Sequence, residues 1–302
     1  MNNKRVMRFI GVSTSGSSIN KVFPKWSEIL GLDAELIGLD IPIGAPASTY
    51  RNAISQMQED KNCAGALVTT HKIALYAATN DMFKSLDTFA TACGEISSIK
   101  ITNGDVNGSA KDPITAGLAL AEFLDIKHFE NGAEVICFGD GGAATAIAWH
   151  LSGLEIPPAK IYFYGKSQER LNHLQKVVKV RPGSDCIEIK LSSESEIIES
   201  LKKLPKNSLI INATGMGKDL PGSPMPPKSH FPRDSIIWEL NYRGELDFIK
   251  KAKLESTTSN LKVYDGWRYF IHGWSNVIAE VFDVALTSNL LNELSIAAEI
   301  AR

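Results

Sequence analysis

The segment EVICFGDGGAATA, which spans Glu134–Ala146, predicts the fold of the larger part of this chain. Its apolar start is typical of a buried strand, and small residues that favour a helix follow its glycines. Gly139 lets the chain turn, Gly141 lets the backbone approach a pyrophosphate, and Ala144 lets the helix pack closely on the sheet. The start of that helix, Ala143–Leu151, offers unpaired N–H groups to an anion. The residues expected to contact a dinucleotide here are Gly139, Asp140, Gly141, Gly142 and Ala143.

The next predicted strand, Ile161–Tyr164, indicates which dinucleotide is bound. It leads into Gly165, Lys166 and Ser167. An NAD site normally has an acidic residue at this strand end, where it accepts hydrogen bonds from the ribose 2′-hydroxyl. Here the strand end offers a hydroxyl and two cations, Lys166 and Arg170, which suit a 2′-phosphate. The sequence therefore favours NADP over NAD; the alternative is that Lys166 is a solvated lysine at a helix start.

Composition narrows the class of protein. The chain has 302 residues, of which 44% are hydrophobic, and a formal net charge of −2, so it allows one large domain or two medium ones and gives no reason to expect nucleic acid or a membrane as partner. No apolar run reaches the roughly 20 residues that span a bilayer, and the N-terminal residues lack the long apolar stretch of a signal peptide. The cysteines form no C-x-x-C pair and no group at metal spacing. We expect a cytoplasmic monomer or homodimer that binds a small molecule and no metal.

Strand and helix patterns alternate along the first third of the chain, which predicts parallel strands joined by helical crossovers. The expected elements are a strand at Arg8–Val12, a helix at Ile19–Leu30, a strand at Ala34–Asp40, a helix at Thr49–Gln58 and a strand at Gly65–Thr69. The turn residues within Ile99–Gly108 indicate a hairpin or a strand–loop junction.

The rest of the chain predicts a second α/β domain and a return to the first. A helix is expected at Asp112–Phe123, strands at Asp185–Lys190, Leu209–Asn212 and Ser235–Leu240, and helices at Trp267–Leu286 and Leu290–Ala301. The last two helices have no strand partner. We therefore expect a two-domain α/β fold with a cleft between the domains: a doubly wound Rossmann domain at 111–266, and a substrate domain at 1–110 to which 267–302 returns.

Lys72 and Asp112 are the candidate catalytic residues. Lys72 follows a buried-type strand in LVTTHK, at the carboxyl edge where open α/β sheets bind ligands. Partial burial would lower the pKa of Lys72 toward neutrality, whereas a nearby carboxylate would hold Lys72 charged. Asp112 is the expected carboxylate partner. An enzyme that moves a hydride to or from a carbonyl carbon needs one such proton donor or acceptor. A surface lysine and a plain N-cap aspartate are the alternatives.

The order of motifs resembles that of the shikimate dehydrogenase family along nearly the whole chain. The family's serine-rich loop after the first strand is matched by Ser13–Ser18, and its N-V-T-x-P-x-K strand end by Ala66–Lys72. Its G-A-V-N-T-V stretch is matched by Gly94–Ile99, and its N-G-x-x-x-G-x-N-T-D segment by residues 103–112. The resemblance implies an NADP-dependent dehydrogenase of aromatic amino acid biosynthesis or quinate metabolism, in which the lysine and aspartate ending these motifs are catalytic.

The resemblance also assigns residues to the cofactor and the substrate. The glycine turn matches the family's G-x-G-G-x-x-x-A, Gly165–Ser167 looks like its N-R-T, which grips the 2′-phosphate, residues 212–217 resemble its N-A-T loop, and Glu239–Tyr242 resembles its D-x-x-Y. The further cofactor contacts implied are Gly165, Lys166, Ser167, Arg170, Asn212, Ala213, Thr214, Gly215, Met216, Leu240 and Gly266. The substrate contacts implied are Ser15, Ser17, Thr69, Ser97, Tyr242 and His272.

The motifs that read the substrate depart from the family pattern. In the family, the serines of the S-x-S-P loop help hold the substrate carboxylate; here its second serine and proline fall at Ile19-Asn20. Ser97 and Ala110 replace two asparagines that bind ring hydroxyls. The glutamine of the final motif falls on Gly273, or on His272 if the register slips by one. A site built around particular hydroxyls discriminates by roughly 10⁴-fold when a partner is missing. The sequence thus keeps the redox residues and alters the residues that select the substrate.

These features leave the substrate open. The resemblance implies hydride transfer between NADP(H) and a ring hydroxyl or ketone of a cyclic hydroxy acid of the shikimate or quinate type. The alternatives are a different cyclohexane polyol or ketone, and a catalytically silent NADP-binding regulatory protein, against which the retention of both catalytic residues argues. His71 and His272 either touch substrate or are structural, and Lys111 either meets an anionic group or points to water.

Overall fold

The computed structural model describes Lys4–Arg302 and divides the chain into two compact units. The first runs up to Thr115 and resumes over Ile271–Arg302, and the second is Ala116–Phe270. The two units meet after Thr115 and after Phe270, whereas the sequence predicts domain boundaries after residues 110 and 266. Residues 1–3, which the sequence analysis assigns to the first domain, lie outside the described residues.

The first unit contains a mixed six-stranded sheet in the order β2-β1-β3-β5-β6-β4. Its elements are β1 Arg5–Gly11, α1 Ile19–Ile29, β2 Ala34–Asp40, α2 Ala47–Glu59, β3 Cys63–Val68, α3 Lys72–Thr79, β4 Ser85–Leu86, α4 Thr88–Cys93, β5 Ser98–Thr102 and β6 Asp105–Ser109, followed by the start of α5 Asp112–Ala121. Strands β1, β2 and β3 are parallel, as expected, whereas β5 runs antiparallel to β3 and β6.

The second unit is a doubly wound parallel sheet. Its elements are β7 Val135–Phe138, α6 Gly142–Leu151, β8 Ile161–Gly165, α7 Gln168–Val178, β9 Ile187–Leu191, α8 Glu194–Lys203, β10 Leu209–Asn212, β11 Ile236–Glu239, α9 Asp247–Ser259 and β12 Lys262–Tyr264. The strand order β12-β11-β10-β7-β8-β9 is that of a Rossmann fold, in which the order reverses between the first and fourth strands. The predicted fold class is confirmed.

Burial on both faces explains why the central strands of the second sheet are largely apolar. All four residues of β7 are buried. Val135 and Cys137 contribute to one core cluster, whereas Ile136 and Phe138 contribute to another. Successive side chains of a strand point to opposite faces, so helices cover both sides of this sheet.

The C-terminal helices, α10 Trp267–Phe282 and α11 Ser288–Ala298, return to the first unit as predicted. Trp26 of α1 is fully buried and its indole N–H donates to the Leu294 carbonyl of α11 over 2.7 Å. Ser18 donates to the carbonyl of Ala301 over 3.1 Å, which fixes the last residues of the chain. Between Lys4 and Arg302, no helix combines the length and apolar character needed to cross a membrane.

Candidate functional site

The carboxyl edge of the first sheet brings together the loops that follow β1 and β3. Strand β1 lies between β2 and β3, so the chain reverses its direction of winding at this point, where open α/β sheets bind ligands. Thr69 connects the loop after β3 to the end of β1, since its N–H and its hydroxyl both donate to the Ile10 carbonyl, over 3.0 and 3.2 Å. The Thr69 hydroxyl proton is thereby engaged with the backbone.

Lys72 and Asp112 form an ion pair at this edge. Lys72 is the first residue of α3, directly after β3, and Asp112 is the first residue of α5. The Lys72 ammonium donates to Oδ2 of Asp112, and the two side chains are 18% and 9% exposed. The positive end of the α5 dipole further stabilises the carboxylate. Two residues 40 positions apart thus form one acid–base unit that solvent reaches only in part.

The charges around Lys72 keep it protonated. Burial disfavours the ammonium, but the negative charge of Asp112, the hydrogen bond to Asp112 and, when it is ionised, the charge of Glu95 outweigh burial and raise the pKa of Lys72. Its pKa is therefore not lowered toward neutrality, as burial alone would do. Lys72 carries a proton at neutral pH and can give it to an acceptor.

Lys111, next to the catalytic candidate Asp112, is paired with Glu280 of α10. Its ammonium lies 2.6 Å from Oε1 of Glu280, and Oε2 accepts hydrogen bonds from Ser98 and Ser109, each over 2.5 Å. Lys111 therefore neither points freely to water nor stands as an unpaired cation for a ligand. The N–H of Lys111 donates to the buried Ser97 hydroxyl oxygen over 2.7 Å. Because Ser97 is the acceptor in this bond, its own hydroxyl proton can still be donated to another group.

An aspartate holds the serine-rich loop after β1. Asp40 accepts hydrogen bonds from the N–H and the hydroxyl of Thr14, over 2.8 and 2.6 Å, and these bonds lower the pKa of Asp40. Asn20 donates to the carbonyls of Thr14 and Ser15 over 2.9 and 3.0 Å. The Ser15 side chain is exposed and Ser17 is half-buried at this loop. The loop is thus closed by its own polar residues, with an ionised carboxylate beneath it.

His71, whose role the sequence leaves open, and the predicted substrate residues His272 and Tyr242 lie in tighter surroundings. His71 is buried between the Tyr50 hydroxyl and the Ile41 carbonyl, at 3.0 and 2.8 Å, so both of its ring nitrogens have protein partners and it does not face solvent. His272 is only 3% exposed within α10. Tyr242 belongs to the second unit, where its ring packs against Trp267 and Phe270 with centroid separations of 5.4 and 4.8 Å.

The glycine turn of the second unit lies where its strand order reverses, between β7 and β10. Gly139 has φ +137°, and a Cβ there would stand 2.8 Å from the Ala213 carbonyl oxygen, so only glycine fits. Gly141 precedes α6 with open space around its Cβ position. A backbone that is free of side chains and ends at a helix N-terminus fits a pyrophosphate.

Asp140 in this turn reaches the end of β8. Its Oδ2 accepts from the N–H groups of Lys166 and Ser167, over 2.7 and 2.8 Å, and Oδ1 lies 3.5 Å from Arg170. The strand end therefore does have an acid, but it comes from the preceding turn and not from β8 itself. Lys166 is exposed with its ammonium 3.7 Å from the Met216 sulfur, so two cations and one carboxylate define this corner.

A buried polar network fixes the loop after β10. Asn212 donates to Glu239 over 2.7 Å and accepts from the N–H and hydroxyl of Thr214, over 3.0 and 2.6 Å. Asn241 donates to the Thr214 carbonyl over 3.0 Å and to Glu239 over 2.8 Å. Burial raises the pKa of Glu239 to about 7. These bonds give Ala213, Gly215 and Met216 a fixed backbone beside the glycine turn.

A close backbone contact fixes the last predicted cofactor residues. A Cβ on Gly266 would stand only 1.8 Å from the Leu240 carbonyl oxygen, so the segment after β12 passes directly against the segment after β11. Within the described part of the chain, no three His, Cys, Asp or Glu side chains are grouped to hold a metal ion.

Sequence reasoning missed four carboxylates that shape these sites: Glu95, Glu280 and Asp40 in the first unit, and Glu239 as the centre of a network in the second. Each has a partner that is distant in sequence: Thr14 is 26 residues from Asp40, and Asn212 is 27 residues from Glu239. A signal existed for Glu95, because it interrupts the otherwise uncharged stretch CGEISS.

Comparison with known proteins finds the same fold in many solved structures. A shikimate 5-dehydrogenase from Thermus thermophilus in complex with NADP(H) and shikimate has a TM-score of 0.71 and 18% identity over 99% of this chain and 100% of that one. A quinate dehydrogenase from Corynebacterium glutamicum in complex with NAD has a TM-score of 0.73 and 17% identity, over 97% and 98%. A 5-ketofructose reductase of a Gluconobacter strain has a TM-score of 0.73 and 16% identity, over 98% of each chain.

No protein-family model and no curated protein sequence matches the chain. The resemblance to shikimate dehydrogenases is confirmed in the fold, which this chain shares over nearly its whole length. Identities below 20% show the fold and leave the substrate to be argued from the site.

Proposed function

We propose that the chain is an NADP-dependent dehydrogenase, transferring a hydride between NADP(H) and a ring hydroxyl or ketone of a small cyclic hydroxy acid of the shikimate or quinate type. The observation that carries this proposal is the partly buried ion pair of Lys72 and Asp112 at the carboxyl edge of the first sheet. Solved structures of the same fold that are named dehydrogenases or a reductase support it. A protein that only binds a nucleotide has no need of such a pair.

Lys72 is the proposed proton donor in ketone reduction. Its ammonium gives one proton to the carbonyl oxygen while the carbonyl carbon gains the hydride, so the product is an alcohol and Lys72 becomes a neutral amine. Oxidation of the alcohol reverses both transfers. Asp112 orients the amine and stabilises its charged form. NADP(H), when bound, would supply or accept the hydride.

The second unit supplies the proposed cofactor site. Gly139 and Gly141 leave room for a pyrophosphate at the start of α6. Lys166 and Arg170 would hold the 2′-phosphate, because both cations lie at the end of β8 and their combined charge exceeds that of Asp140. The loop 212–216 would line the remainder of the site.

A neutral cyclic polyol or ketone is a second candidate substrate, favoured by the charges in the first unit. The carboxylate of Asp40 lies under the serine-rich loop, where the family resemblance implies that a substrate carboxylate binds. Lys111, a further cation of the first unit, is paired with Glu280. A second carboxylate beside Asp40 would be repelled, so these charges favour a substrate without one.

The proposal predicts that Lys72→Met slows turnover strongly while cofactor binding persists. Purified protein is mixed with NADP⁺ and a panel of cyclic hydroxy acids and neutral polyols, and reduced cofactor is followed by absorbance. We expect kcat/KM to fall roughly 10²- to 10⁴-fold in the variant, because the proton donor is lost. The matched control is Lys61→Met, an exposed lysine of the same unit, which should leave kcat/KM unchanged.

The panel also separates the alternatives. Activity on shikimate or quinate supports the hydroxy-acid class, whereas activity on neutral polyols alone supports the second candidate. Tight NADP binding by calorimetry, with no turnover of any compound in either direction, would favour a regulatory nucleotide binder. Full activity of Lys72→Met would contradict the proposed role of the ion pair.

A further inference from the structure

Glu95 is a fully buried carboxyl group beside the Lys72–Asp112 pair. Its side chain is 0% exposed, and neither carboxyl oxygen has a hydrogen-bond partner among the described residues. A buried carboxylate without hydrogen bonds is costly, whereas the neutral acid is tolerated far better. Burial without partners therefore indicates a group that keeps its proton in the folded protein.

The backbone places Glu95 on the segment that links the two catalytic candidates. The segment leaves α4 through Gly94, which has φ +62°, and the N–H of Ile96, the residue after Glu95, donates to the Lys72 carbonyl over 3.2 Å. Ser97 then donates to the Ser109 carbonyl over 3.0 Å, three residues before Asp112. Glu95 thus sits on a chain segment that is hydrogen-bonded to the residue Lys72 and to the strand that leads into Asp112.

Two charged groups face Glu95 from the elements packed against it, Lys72 of α3 and Asp112 of α5. Burial is the largest influence, the negative Asp112 adds to it, and the positive Lys72 opposes both. Together they raise the pKa of Glu95 to about 8. The group is therefore mostly neutral at pH 7 and loses its proton in the mildly alkaline range.

We propose that Glu95 is a positioning residue that acts through Lys72: as a neutral acid it leaves Lys72 with Asp112 as its single carboxylate partner, and its ionisation adds a second negative charge that holds the proton on Lys72. A more tightly held proton is transferred more slowly to a carbonyl oxygen. The part of this inference that concerns reaction rate rests on the proposed function, whereas the coupling of the two side chains does not.

The first test measures the coupling without any substrate. A group with a raised pKa keeps its proton in the folded state and releases it on unfolding, so the free energy of unfolding falls as pH rises from about 4.5 and levels off above about 8. Urea unfolding from pH 5 to 9 should show this slope in the wild type, and a shallower one in Glu95→Gln. Glu35→Gln, an exposed carboxyl of the same unit, is the control and should keep the wild-type slope.

Variants of the partners test the coupling even if Glu95→Gln fails to fold. Removing the positive charge in Lys72→Met should move the pH at which the slope levels off upward, by on the order of one pH unit. Removing the negative charge in Asp112→Asn should move it downward. If the free energy of unfolding depends on pH in the same way in the wild type and in all these variants, the inference is overturned, whether or not the protein turns over a substrate.

The second test uses the pH dependence of ketone reduction. In the wild type, kcat/KM should fall by about tenfold between pH 7 and pH 9 as Glu95 ionises. Glu95→Gln keeps the shape and neutrality of the acid, so it should retain activity at pH 7 and lose this decline. If the decline persists in Glu95→Gln although the unfolding slope is lost, Glu95 is a protonated structural residue and the inference is overturned. If the wild type turns over no compound, the proposed function fails and the partner variants still decide the coupling.

Discussion

At the scale of single residues, Asp140 shows that folding can bring a residue distant in sequence into a site. The sequence around β8 predicts a cationic strand end, and Lys166 and Arg170 do lie there. Asp140, 26 positions from Lys166, also reaches that corner and accepts two backbone N–H groups. Neighbours within one segment can be read from the sequence, whereas this contact depends on β7 and β8 lying side by side.

The position of Asp140 predicts a change in cofactor preference. In Asp140→Ala, the N–H groups of Lys166 and Ser167 and the guanidinium of Arg170 become available to a 2′-phosphate, and a repelling carboxylate is removed. We expect the affinity for NADP relative to NAD to rise by about tenfold, a change of roughly 1.4 kcal/mol. Calorimetric titration with both dinucleotides measures the ratio. Asp185→Ala, an exposed aspartate of the same unit, should leave it unchanged, and a fall in the ratio in Asp140→Ala would contradict this role.

At the scale of elements, strands rich in apolar residues are predictable and the short connecting elements are not. The sequence predicts β10 at Leu209–Asn212 and β2 at Ala34–Asp40, with the bounds the structure has. It misses α3 and the three-residue β12. Helix α3 starts only three residues after β3, and its N-cap residue, His71, makes no side-chain capping bond. No local signal separates this helix from the strand before it.

Substitution by alanine should have different effects on stability at two glycines in the connections of the second sheet. In Gly266→Ala the new Cβ would meet the Leu240 backbone, so we expect the free energy of unfolding to fall by about 1–3 kcal/mol or more. In Gly141→Ala the new Cβ has open space and the backbone is extended, so stability should be kept while the pyrophosphate loses its close approach. Urea unfolding and NADP titration measure the two effects; unchanged NADP affinity in Gly141→Ala would show that the pyrophosphate binds elsewhere.

At the scale of the whole molecule, each unit contains a buried carboxyl group with a raised pKa: Glu95 in the first and Glu239 in the second. In the folded state Glu239 keeps its proton up to about pH 7, whereas in the unfolded chain the same group loses its proton above about pH 4.5. The contribution of Glu239 to the free energy of unfolding is therefore greatest below pH 4.5. It falls by at most on the order of 3 kcal/mol as pH rises through 7.

Glu239→Gln should flatten the fall in unfolding free energy between pH 5 and 7. The amide loses one acceptor of the Asn212 and Asn241 bonds, so it lowers stability at every pH, and the informative quantity is the slope and not the level. Because Glu95 and Glu239 lie in different units, their contributions should add, and the double variant should show a smaller fall over this range than either single variant. Urea unfolding followed by circular dichroism measures the slopes, with Glu194→Gln as an exposed control. A Glu239→Gln slope equal to that of the wild type would mean that Glu239 is ionised in the folded protein and that its amide partners stabilise a carboxylate.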